Sequence, residues 1–109
     1  MANLHSIEEI RSFVAENKWA FLYVSQQNCS VCHSVLPKLK QLLAQYPDIQ
    51  LGEVDGEEVK AVSAEYQIFS APTLLLFIDG KEFIREGRFV QFQKLAFDIE
   101  RLYTFETEL

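Results

Sequence analysis

Trp19-Ala20-Phe21-Leu22-Tyr23-Val24-Ser25 is a strand-like apolar run that gives way, after Gln26-Gln27-Asn28, to Cys29-Ser30-Val31-Cys32 at the head of a helical pattern. A buried strand feeding a helix whose first turn carries two thiols is a chemical statement as well as a structural one. Helix N-terminal N–H groups and the helix dipole stabilise an anion, and the thiolate is the nucleophile of disulfide exchange. A partner thiol one turn along resolves the mixed disulfide that such an attack creates. The chain has only these two cysteines, so the pair reads first as a redox dithiol.

Working outward, the apolar residues Cys32, Val35, Leu36, Leu39, Leu42, Leu43 and Tyr46 fall at a three-four spacing that predicts one buried helical face. Pro37 lies inside that pattern and predicts a kink, because it removes a backbone donor and crowds the preceding turn. Upstream, Ser6-Ile7-Glu8-Glu9 matches a capping box and predicts a helix from Ile7 to about Glu16, with Ile7, Ile10 and Val14 inward. Downstream, Ile49 to Val54 reads as a short strand. Asp55-Gly56-Glu57-Glu58 then caps a helix that turns Val59, Val62 and Tyr66 inward. Thr73 to Ile78 is a continuous apolar run, and Asp79-Gly80 before Lys81 to Arg88 is a hairpin signal. A last helix puts Phe92, Leu95, Ala96, Ile99, Leu102 and Tyr103 on one face, with fraying expected from Thr104 to Leu109. Helices interleaved with buried strands predict an α/β fold: a central mixed sheet flanked by helices on both faces.

At 109 residues and 49% hydrophobic, the chain has the material for one domain over residues 1–109 with a core of its own. The cysteines are then free for chemistry instead of stapling. A net charge of −6 without a cluster of Lys or Arg argues against nucleic acid or an anionic membrane as partner. Proteins or small thiols are the expected partners. No basic-then-apolar leader opens the sequence and no stretch is long enough to span a bilayer, so a reducing cytoplasm is the expected compartment.

Taken together, Phe21-Leu22-Tyr23-Val24, Cys29-Ser30-Val31-Cys32, Pro37, Ala71-Pro72-Thr73-Leu74-Leu75-Leu76-Phe77 and Asp79-Gly80 resemble the thioredoxin family in order and spacing, over about residues 6 to 103. The resemblance implies a thioredoxin fold and a thiol–disulfide oxidoreductase in which Cys29 attacks and Cys32 resolves. It also implies a cis Ala71–Pro72 bond beside the dithiol, with the main chain at Ala71 pairing with an extended substrate segment. No metal or organic cofactor is implied. Electrons would return through a thioredoxin-reductase-type flavoprotein or a low-molecular-weight thiol.

The chain departs from the family pattern where rate and potential are set. Asn28 stands where tryptophan is common, and Ser30-Val31 replaces Gly-Pro. The family's buried acid aligns with Tyr23 and its lysine neighbour falls near Leu51. A phenol with a reference pKa near 10 is a poor base at neutral pH, so slow resolution is expected. His33 follows Cys29 by four residues, one turn along the same helical face, where an imidazolium favours the thiolate and where a solvated surface histidine is the plainer reading. Cys29 to His33 also spells the C-x-x-C-H pattern of covalent haem, for which only Met1 and His5 remain as spare ligands, while zinc lacks a second cysteine pair. Phe89 and Phe92 are read as core or as an apolar rim beside the dithiol, and Trp19 as strand-end packing. Two functions stay open: a disulfide oxidoreductase, or a redox-sensing binding protein of the same fold with little turnover.

Overall fold

Each side chain from Trp19 to Val24 is at most 4% exposed, because the strand they form lies in the middle of a sheet covered on both faces. The computed structural model describes residues 1–108. In chain order the elements are β1 (Ala2–Leu4), α1 (Ile7–Glu16), β2 (Trp19–Ser25), α2 (Ser30–Leu43), β3 (Ile49–Asp55), α3 (Ala61–Tyr66), β4 (Thr73–Ile78), β5 (Lys81–Glu86) and α4 (Phe92–Glu108). The sheet has the order β1-β3-β2-β4-β5, parallel across β1, β3 and β2 and antiparallel from β2 to β5.

Side-chain alternation along the strands sorts the core into two layers. Phe21, Tyr23, Leu74 and Leu76 face α2 and α4, where they meet Val35, Leu39, Leu95 and Ile99. Ala20, Leu22, Val24 and Leu75 face the other way, against Ile10, Phe13 and Val14 of α1 and Val62 of α3. Gly52 sits under α1. A Cβ there would come within 2.8 Å of Leu4 and 2.9 Å of Phe13, so only glycine lets the helix approach this closely. Trp19 packs at the strand end opposite the dithiol, its ring 5.2 Å from Tyr103.

Ser6 caps α1 by accepting the Glu9 N–H at 3.1 Å, as the capping box predicts. The hairpin turn at Asp79-Gly80 is also as expected, with φ of 52° and 81°. Several boundaries differ from the sequence reading. β1 was not anticipated, since three residues carry too little pattern to announce a strand that exists only by pairing with β3. The third helix starts at Ala61 and not after Asp55, because the Asp55 carboxylate accepts the Glu57 N–H at 2.9 Å and holds an intervening turn. β5 stops at Glu86. The last helix continues to Glu108 where fraying was expected, with Glu106 paired to Lys18 at 3.5 Å, and Leu109 lies outside the described residues.

Candidate functional site

β2 ends at Ser25, and the exposed turn Gln26-Gln27-Asn28 delivers Cys29 to the N-cap of α2. Cys29 has extended backbone angles, as an N-cap residue must, and its Sγ accepts the Cys32 N–H at 3.1 Å. One of the orphan donors of the helix end is thereby aimed at the sulfur. The two sulfurs are joined in a disulfide with the Cα atoms 5.2 Å apart. They are not equivalent. Cys29 is half-buried, whereas Cys32 is 2% exposed and opens the apolar face of α2 with Val35 and Leu39.

The second wall of the site comes from the start of β4. Thr73 pairs antiparallel with Val24, so the residues just before β4 arrive beside those just after β2. The Ala71–Pro72 bond is cis, and the Ala71 carbonyl oxygen lies 3.7 Å from Cys29 Sγ. Thr73 donates its hydroxyl hydrogen to the Ser70 carbonyl at 2.7 Å and closes the turn. Cys29, Cys32, Ala71 and Pro72 thus converge, although 42 residues separate Cys29 from Ala71.

Tyr23 is fully buried beneath the helix start, and its hydroxyl donates to the Cys32 carbonyl oxygen. Burial first, and the charge of Glu53 second, push its phenol up to about 12. It therefore holds the main chain at Cys32 and offers no proton acceptor at neutral pH. Asn28 is exposed in the approach turn. His33 is exposed too, and its ring nitrogen Nε2 lies 3.1 Å from the Gln27 carbonyl oxygen. That contact ties the helix start to the approach turn.

Three features escaped the sequence reading in part or whole. Phe89 is 88% exposed and so is surface, not core, while Phe92 packs against the α2/α4 layer with Lys38 above its ring. Phe69 is 92% exposed only two residues before Ala71. The signal was a bulky apolar residue in the turn before Ala71-Pro72. Glu53 is half-buried in register with Tyr23 on the neighbouring strand. Its signal was the alternation Ile49, Leu51, Glu53, which puts a carboxylate on the inward face.

The thioredoxin family profile matches residues 3–100. The thioredoxin-like protein YdfQ of Bacillus subtilis is 45% identical over 103 residues, spanning 94% of this chain and 92% of that protein. A thioredoxin of Chlamydia pneumoniae is 31% identical over 78% of this chain and 82% of its own length. Among solved structures, Fasciola hepatica thioredoxin superposes with a TM-score of 0.82 at 26% identity, covering 93% of this chain and 98% of that one. Trypanosoma brucei brucei thioredoxin reaches 0.85 at 14% identity over 95% and 91%, a likeness of fold. With its sheet order, its dithiol at a helix start and a profile match over nearly its whole length, the chain belongs to the thioredoxin family.

Proposed function

We propose that this thiol–disulfide oxidoreductase works through Cys29 as attacking thiol and Cys32 as resolving thiol, with the main chain at Ala71-Pro72 as its substrate platform. The observation that carries the reading is the asymmetry of the pair. Cys29 is half-buried, and its Sγ receives a helix N-terminal N–H at 3.1 Å and lies 3.7 Å from the Ala71 carbonyl oxygen, while Cys32 is 2% exposed. A thiolate at Cys29 is stabilised by that N–H and by the helix end.

In the first step the Cys29 thiolate attacks a substrate disulfide. A bond forms from Cys29 to one substrate sulfur, the substrate S–S bond breaks, and the other sulfur leaves as a thiolate that takes a proton from solvent. In the second step Cys32, having lost its proton, attacks Cys29 Sγ. The Cys29–Cys32 bond forms, the mixed disulfide breaks and the second substrate thiolate departs. Two electrons pass from the dithiol to the substrate. An extended substrate segment lies along Ala71 by strand addition, with the exposed ring of Phe69, two residues before it, supplying apolar contact.

The thioredoxin family acts on disulfide substrates and is reduced by thioredoxin reductase. For this chain we assign the same partners, protein disulfides or small thiols as substrates and a flavoprotein reductase or a low-molecular-weight thiol as electron source, in a reducing cytoplasm. Asn28 and His33 are assigned a tuning part at the approach to Cys29. The redox-sensing reading is favoured by one observation, that Tyr23 beneath Cys32 is no base. Catalysed reduction of a disulfide-bonded test protein, with dithiothreitol as electron source, separates the two. Multiple turnovers per chain that vanish in Cys29→Ser support the oxidoreductase; a rate equal to dithiothreitol alone overturns it.

A further inference from the structure

Resolution requires that a proton leave Cys32, which is 2% exposed and lies over a phenol that cannot take it. Tyr23 and Glu53 are register partners on parallel strands. Tyr23 belongs to the layer under α2, and Ile49 and Leu51 pack on that same layer. By alternation the Glu53 side chain also points to the face that carries Cys32. It lines a cleft of about 200 Å³ beside the start of α2, together with His5, Gln27, His33, Asp55 and Glu58. The field of this carboxylate reaches the Tyr23 phenol, where it adds to the effect of burial.

We infer that Glu53 is the proton acceptor of the resolving step, taking the Cys32 proton through solvent, while Tyr23 is a positioning residue that holds the Cys32 main chain. The inference rests on the assignment of Cys32 as resolving thiol. The proton passes from Cys32 to the Glu53 carboxylate as the Cys32 thiolate attacks Cys29 Sγ, and returns to the departing substrate thiolate. No further oxidant or co-reactant is needed. The alternation Ile49, Leu51, Glu53 thus supplies from β3 the carboxylate that β2 lacks.

A base and a mere charge predict opposite results here. Removing a nearby anion makes the Cys32 thiolate easier to form, so a Glu53 acting only through its field would speed resolution when neutralised. A proton acceptor, once removed, slows it. The experiment forms the mixed disulfide with a small aromatic disulfide and follows attack and release separately by stopped flow.

Expected is an unchanged attack rate and, in Glu53→Gln, release slowed by about tenfold to a hundredfold at pH 7, with most of it restored in Glu53→Asp. The parent release rate should be level across the neutral range, while in Glu53→Gln it should climb about tenfold per pH unit. His5→Gln, which alters another titrating group that lines the cleft, should retain the level region. Release in Glu53→Gln as fast as or faster than in the parent overturns the inference and leaves the dithiol mechanism standing. Failure of the parent to form the mixed disulfide at all overturns the mechanism and the inference with it.

Discussion

Replacing Tyr23 with Phe removes one hydroxyl and nothing else from the floor of the site, and the structure makes its consequence depend on pH in a definite way. The ring is fully buried and its hydroxyl donates to the Cys32 carbonyl. That carbonyl also has its place in the helix ladder, so losing the phenol deprives it of one of two donors. The loss should be about 1 kcal/mol at pH 7, or a fall of about 4 to 8 °C in Tm. Against this stands ionisation. The phenol titrates near 10.0 when unfolded and about 12 when folded. A raised folded pKa means stability that is fully present below the unfolded value and is lost as pH rises through the folded one. Between pH 10 and 12 the parent should therefore give up roughly 2 to 3 kcal/mol through Tyr23 alone. Tyr46 is also pushed up to about 12 and titrates in both proteins, so it cancels in the comparison. The variant is thus the less stable protein at pH 7 and the more stable one at pH 12, with the curves crossing near about pH 11. Urea unfolding of the oxidised proteins across this range reads it directly. Parallel curves would mean that Tyr23 is neither so buried nor so bonded as described.

Gly52→Ala should cost about 1 to 3 kcal/mol in urea unfolding, since the added methyl meets Leu4 and Phe13 inside van der Waals contact; a neutral result would show that α1 lifts freely from the sheet. His33→Gln should raise the pKa read from the pH dependence of Cys29 alkylation, and the difference should fade in high salt because the imidazole is exposed. Superimposable curves would leave His33 only its contact with the Gln27 carbonyl.

The features legible in the sequence were those whose physics is local. Turn chemistry at Asp79-Gly80, the Ser6 cap and the apolar spacing through Leu39 and Leu43 each announce an element from within a few residues. Cys29 and Cys32 are legible as a helix start and Pro72 as a strand entry, whereas their meeting in one site is implied only by the resemblance to thioredoxins. Features that depend on a partner strand were not legible. β1 exists only against β3, and Glu53 acquires meaning only when its register with Tyr23 is known. Phe69 and Phe89 carry the composition of core residues, and only the packing of the turns around them puts them outside. The Tyr23 phenol reads as a poor base from its chemistry alone, but its bond to the Cys32 carbonyl gives it a structural task that its position in the sequence does not suggest.

The unequal roles of the two cysteines are the centre of the account, and trapping tests them most directly. Cys29→Ser and Cys32→Ser, each incubated with a disulfide-bonded test protein and quenched with acid, are compared by mass for the covalent adduct. Accumulation of the mixed disulfide in Cys32→Ser, with none in Cys29→Ser, is the result predicted from a half-buried cysteine at the helix N-cap and a buried one behind it. Equal trapping by both variants, or trapping by Cys29→Ser alone, would contradict it.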